Sequence, residues 1–201
     1  MKSQFHITGL FYEIQGYKFR KYLNIIKKGS CVHVPDLLVV MCNPGGSKPI
    51  DGIDNNNVES EAIPDRTQDQ IMKVMEACKL DYARVLNLSD LREPKSNKLF
   101  PKLLEMDNIG VSHSIFDASR KDDFDSLFIK NVPVIFAWGV GKQLKEIAES
   151  AIDRINDNNT VGLRKEGLEW AFYHPLPQVY KKQVEWVKSI TKSLKRKLNE
   201  D

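Results

Sequence analysis

Four polar groups stand where apolar runs end. Val39-Val40-Met41-Cys42 empties into Asn43-Pro44-Gly45-Gly46, and Val85-Leu86 stops at Asn87. Phe136-Ala137 stops at Trp138-Gly139, and Phe172-Tyr173 at His174-Pro175. Amide and imidazole side chains can hold a ligand through hydrogen bonds, although an amide orients a water without being able to deprotonate it. Each group also has a structural use: Asn before Pro opens turns, a strand-end Asn caps its own backbone, and a lone His satisfies a core. The shared placement is what singles them out. In an open α/β sheet, ligands bind beyond the carboxyl ends of the strands, so Asn43, Asn87 and His174 are expected to face one crevice.

Other chemistries lack their signatures. The four histidines (His6, His33, His113 and His174) are scattered without zinc-site spacing, so no metal is expected. There is no G-x-S-x-G elbow. Gly139-Val140-Gly141-Lys142 follows a strand but lacks the upstream Gly and the Ser/Thr after Lys of a phosphate loop.

The elements that must position these groups can be read from periodicity. Residues 5–14 and 17–26 mix aromatic and β-branched residues around Gln15-Gly16, which predicts a β-hairpin whose basic second arm is a solvated edge. A strand over 37–42 precedes a long polar stretch, 43–66. Thr67 is the expected N-cap of a helix carrying Ile71, Val74, Met75 and Cys78 on one face. Strands are expected at 82–88, 132–138 and 168–173, and helices near 99–106, 121–130, 142–156 and 179–198, the last with a stripe of Val184, Val187, Ile190, Leu194 and Leu198. This alternation predicts one α/β domain over residues 1–201, with a mainly parallel central sheet, helices on both faces and an N-terminal β-hairpin.

With those residues in place, the chain resembles the uracil-DNA glycosylase superfamily, particularly its mismatch-specific branch. Met41-Cys42-Asn43-Pro44-Gly45 resembles the first motif, and Val85-Leu86-Asn87-Leu88-Ser89-Asp90-Leu91 is similar to the base-reading strand end. Phe136-Ala137-Trp138-Gly139 resembles the apolar strand ending in Trp-Gly, and His174-Pro175-Leu176-Pro177 the His-Pro-Ser-Pro motif. The four occur in the family's order across residues 37–180. Asp65-Arg66-Thr67 after the first motif adds a likeness to bacterial and phage proteins of uncharacterised function with an Asn-Pro-Ser/Gly loop.

The resemblance implies a metal-independent DNA glycosylase with no cofactor, in which Asn43 positions the attacking water and His174 stabilises the departing base. Asn87 would read the polar edge of a flipped-out base, and its amide can match either a uracil-like or a cytosine-like edge. Met41, Cys42, Pro44, Gly45, Gly46 and Asp65 would complete the substrate pocket. Ser47, Lys48, Gln178, Lys181 and Lys182 would meet DNA.

Departures from the pattern are equally informative. The uracil-specific branch has Asp at the Asn43 position, and an amide there predicts slower chemistry or an activated leaving group. That branch also has a Tyr at the Gly45 position, where the ring excludes C5-substituted pyrimidines. Glycine leaves room for a bulky base, such as a hypermodified cytosine of phage DNA, which would place the protein in phage defence. Gln178 stands where the family inserts a Leu into the gap left by the flipped base, so the alternatives are Val179, Tyr180 or a wedge from elsewhere in the chain. Leu176 replaces a Ser that contacts phosphate in the family. A non-catalytic base-binding module and a nucleoside or nucleotide hydrolase remain alternatives.

Composition sets the frame. Of 201 residues, 41% are hydrophobic and 28% charged, which fits an ordinary globular domain, and the net charge of +3 leaves any partner signal to its distribution. Lys181 and Lys182 directly follow the His174 motif, where they could meet phosphates. Three cysteines without a C-x-x-C pair and no apolar run near the ~20 residues of a membrane span predict a cytoplasmic protein that needs no membrane. DNA is the partner the resemblance implies, and it implies no obligate protein partner.

Overall fold

The computed structural model describes residues 4–199. Its centre is a seven-stranded mixed sheet: β1 (Phe5–Ile14), β2 (Tyr17–Lys27), β3 (Leu37–Met41), β4 (Val58–Glu61), β5 (Tyr82–Asn87), β6 (Val134–Phe136) and β7 (Thr160–Gly162). The strand order is β4-β1-β2-β5-β3-β6-β7. Five helices cover it: α1 (Arg66–Cys78), α2 (Ser96–Asn108), α3 (Lys121–Leu127), α4 (Lys145–Ile155) and α5 (Tyr180–Leu198).

The sheet is parallel only in its second half. β5, β3, β6 and β7 run parallel, whereas β4, β1, β2 and β5 pair antiparallel. The expectation of a mainly parallel sheet is therefore corrected. The hairpin does not stand apart from the core; β2 pairs along β5 and extends the sheet by two long strands, and β4 adds a third. The polar stretch 43–66 is accordingly not all loop. β2 is interior, not a solvated edge, and Phe19, Leu23 and Ile25 are fully buried.

Local chemistry explains the main elements. Gln15 and Gly16 both take positive φ (51° and 81°), the mirror-image turn whose twist suits a two-residue hairpin. Leu37 to Val40 are fully buried, because parallel strands are covered on both faces. α1 is capped by Asp65, not Thr67. One Asp65 oxygen accepts from Thr67 N (2.8 Å) and Gln68 N (2.9 Å), and Gln68 Oε1 accepts from Asp65 N (3.1 Å). That reciprocal pair satisfies three terminal amides.

α1 and α5 pack on one face through Ile71, Met75, Trp186, Ile190 and Leu194. α3 and α4 pack on the other through Phe124, Leu127, Ala148 and Ala151. α2 covers the hairpin, setting Leu99, Leu103 and Met106 on Tyr12 and Phe19. On α5, Val184 is exposed and Trp186 takes the buried position.

The expected strand at 168–173 is an irregular segment. Its apolarity reflects burial against β6 and β7 rather than a ladder: Trp170 and Ala171 are buried, and Phe172 forms only single bridges to Gly139 and Arg164. A Cβ on Gly162 would lie 2.4 Å from the Phe172 ring, so glycine at the end of β7 is what lets this segment lie close. Among the described residues no helix is long and apolar enough to cross a membrane.

Candidate functional site

β3 ends at Met41, and the chain turns sharply: Ser47 N donates to Pro44 O (3.2 Å), with Gly45 at φ +59°. The turn is tied to the segment after β5. Asn43 Nδ2 donates to the carbonyls of Glu93 (2.8 Å) and Leu91 (3.1 Å). Both amide hydrogens are used, and rotating the amide would set its oxygen against two carbonyls. The orientation is therefore fixed, with Oδ1 left as an acceptor that no described residue occupies.

His174 is held just as specifically. Gly139 N donates to Phe172 O (2.7 Å) and Tyr173 N to Leu163 O (2.8 Å). Two buried indoles pin the same segment, Trp138 Nε1 on Trp170 O (2.8 Å) and Trp186 Nε1 on Tyr173 O (2.9 Å). Leu176 N then donates to His174 Nδ1 (3.1 Å), which places the ring proton on Nε2. Burial pushes the imidazole below its ordinary pKa, partly offset by the Asp65 carboxylate. His174 is thus a neutral Nε2–H donor at neutral pH.

A cavity of about 530 Å³ brings these groups together. Asn43 and His174 line it with Asp65, and Met41, Pro44, Gly45 and Gly46 form its wall on the β3 side. A Cβ built on Gly45 would meet nothing within 4 Å, so the space beside this turn is open. Asp65 offers its second carboxylate oxygen, the first being engaged at the α1 N-terminus.

The other candidates are placed elsewhere. Cys42 packs toward the opposite face with Phe100, and burial pushes its thiol up to about 12. Asn87 is fully buried and does not line the cavity, although alternation puts it on the same sheet face as Val85, which does. Both of its amide atoms lack partners. Ser47 is buried, while Lys48, Gln178, Lys181 and Lys182 are exposed. Lys182 and His174 share a neighbouring cavity of about 400 Å³.

Two features were not anticipated from sequence. Arg20, from the hairpin's second arm, lines the main cavity, as does Arg66 at the start of α1. Two carboxylates of the 43–66 stretch are also engaged internally. Asp54 pairs with Lys18 (3.0 Å) and Arg92 (2.8 Å), and Glu59 accepts from Tyr22 (2.6 Å), Asn24 and Thr8.

Among the described residues, no three His, Cys, Asp or Glu side chains cluster to hold a metal ion. The arrangement can present an acceptor to a water and a hydrogen-bond donor to a ligand atom. No protein-family model, curated protein or solved structure matches the chain.

Proposed function

We propose that the protein is a DNA glycosylase that hydrolyses the bond between deoxyribose C1′ and a flipped-out, modified or mismatched pyrimidine, leaving an abasic site. The observation that carries this reading is the pairing, in one cavity, of an Asn43 amide with its oxygen free and a neutral His174 with its Nε2–H free. Breaking the N-glycosidic bond spreads positive charge over the sugar and leaves the bonding electron pair on the base. His174 Nε2–H would donate to a base oxygen as that charge grows. Asn43 Oδ1 would accept from a water, whose oxygen bonds to C1′ and whose proton passes to solvent or the departed base. Preorganised donors of this kind act on the transition state.

The open space beside Gly45 supports a C5-substituted base, and a hypermodified cytosine of phage DNA, with a role in phage defence, is the extension we favour. Exposed Lys48, Lys181 and Lys182 are available to phosphates. The test is incubation with DNAs carrying uracil, thymine mismatches or bulky C5-modified cytosines, followed by alkali. Strand breaks at the modified base that vanish in Asn43→Ala and His174→Ala are expected. Intact strands on every substrate, from folded protein, would overturn the reading.

One observation favours a second reading, a module that binds a base without cutting it. No carboxylate stands at position 43, and Asp65 is half committed to capping α1. Binding that persists in both alanine variants, with no product, would select it. Turnover on free nucleosides with little salt dependence would instead mark a small-molecule hydrolase.

A further inference from the structure

Arg20 is a buried cation with an unpartnered Nε. It is 3% exposed, it lines the main cavity, and its Nε is enclosed without a hydrogen-bond partner. Among the described residues its guanidinium makes no ion pair and no hydrogen bond, and its backbone N donates to Asp90 O (2.9 Å). The two carboxylates whose charge reaches it, Asp65 and Asp90, each engage one oxygen elsewhere, and neither bonds to it. Asp65 caps α1, and Asp90 accepts from Arg120 Nη1 (2.6 Å) and Tyr12 Oη (3.0 Å). Burial lowers Arg20 only to about 10, so it stays charged.

A buried polar group left without a partner is costly, and one that lines a cavity is placed to be completed by what enters that cavity. A second orphan lies on the same sheet face. Asn87, next to Met41 in the β3–β5 register, has a fully buried amide with neither atom bonded. The cavity therefore offers a donor-only fork whose Nε has no partner among the described residues, while Asn87 lies on the same sheet face without lining the cavity.

We propose that Arg20 anchors the ligand of this cavity by donating to two adjacent in-plane acceptors, which for a pyrimidine means O2 and N3 of a cytosine-type ring. A uracil-type ring presents N3–H there, setting donor against donor. Resting on the glycosylase reading, Arg20 also has a chemical role. The electron pair of the broken C1′–N1 bond spreads onto O2 and N3, and the guanidinium meets that charge until the base takes up a proton.

The experiment compares wild type with Arg20→Met, which keeps the length and removes the charge, and Arg20→Lys. Melting is measured alone and with deoxycytidine monophosphate, deoxyuridine monophosphate or inorganic phosphate, alongside cleavage of the DNA panel. Arg20→Met should melt at or above the wild-type temperature, because it removes an unpaired buried charge. It should lose the shift caused by deoxycytidine monophosphate and at least a hundredfold in cleavage of cytosine-type substrates, with Arg20→Lys intermediate.

Several results overturn the assignment. One is a lower melting temperature in Arg20→Met with cleavage falling only in step with folded protein, which marks a structural arginine. Others are full cleavage by folded Arg20→Met, equal Arg20-dependent shifts from both nucleotides or from phosphate alone, and no wild-type shift or cleavage with any ligand. If no DNA is cut but the deoxycytidine monophosphate shift is present in wild type and lost in Arg20→Met, the glycosylase reading fails while the Arg20 assignment stands.

Discussion

Asn43 and Glu93 are joined by a 2.8 Å hydrogen bond from the side-chain amide of one to the backbone carbonyl of the other. With the second bond to Leu91 O, it makes the amide at position 43 a structural necessity as well as a site group. A carboxylate there would face two carbonyl oxygens without a proton to offer either.

Restoring the carboxylate of the uracil-specific branch should therefore not simply raise activity. Asn43→Asp is expected to lose about 1–3 kcal/mol at neutral pH, the cost of leaving buried acceptors unpaired. Because the folded state would favour the protonated acid, its pKa rises on folding. The variant should thus approach wild-type stability in acid and lose stability as pH rises through that raised value. Urea unfolding of both proteins across the acid range checks this; a constant gap at every pH would refute it.

His174 is expected to work as a neutral donor. Its depressed folded pKa means that its contribution to stability is complete above the ordinary value of 6.5 and is lost as pH falls through the lower folded value. Cleavage should accordingly stay level down to pH 6.5 and decline only in more acidic solution, where Nδ1 takes a proton and loses the Leu176 N–H. His174→Ala should cost about a hundredfold to a thousandfold in kcat, the usual price of removing one preorganised donor. A pH–rate profile with its acid limb at or above 6.5 would show that the ring titrates normally.

Behind the cavity, Asp90 is fully buried and its pKa is raised to about 6, chiefly by burial, against the opposing pull of Arg120. It binds a proton more tightly folded than unfolded. Its contribution to stability is therefore full below the ordinary 3.8 and is lost as pH rises through about 6. Asp90→Asn should remove that decline, and Arg120→Ala, which strands the buried carboxylate, should cost about 3–5 kcal/mol at neutral pH. Denaturant unfolding at a series of pH values measures both.

How far this site was legible depends on which contacts make it. β3, β5 and β6 carry their burial in their own apolar runs, so Asn43 could be placed from sequence at the exit of a covered strand. Asp65 was visible as part of a helix start, although the reciprocal bond with Gln68 decided which residue caps it. Arg20 was hidden because Tyr17-Lys18-Phe19-Arg20-Lys21-Tyr22 alternates like a solvated strand. Only its neighbours in the fold, β5 and the α1 N-terminus, bury that one basic residue. His174 was found, but on a strand that does not exist; Trp170 and Ala171 are apolar because they pack under Trp138, a contact with no sequence period.

Pocket width is open to direct test at the turn after β3. A Cβ on Gly46 would lie 3.8 Å from Pro94 Cβ in ordinary contact, whereas Gly45 at φ +59° would strain any side chain by about 1–2 kcal/mol. Gly46→Phe should thus fold normally and narrow the cavity. Relative to an unsubstituted pyrimidine, cleavage of a bulky C5-substituted one should fall by about tenfold or more, the scale on which a pocket discriminates by size. Equal losses on both substrates in competition assays would place the C5 group elsewhere.

The base flipping we propose would need something to fill the gap, and Gln178 is too polar to do so well. Val179 and Tyr180 begin α5 beyond the His174 motif, and they are 54% and 71% exposed. An aromatic ring left this open gains nothing for the fold, yet it can stack where a base has been. The double variant Val179→Ala/Tyr180→Ala should melt within about 0.5 kcal/mol of wild type, as surface changes do. On duplex DNA its kcat/KM should fall by about tenfold or more, because the cost of unstacking, a few kcal/mol, is no longer offset. On single-stranded DNA, where no gap has to be held open, the same variant should retain its rate. Equal losses on both strands would show that these residues contact substrate in some other way.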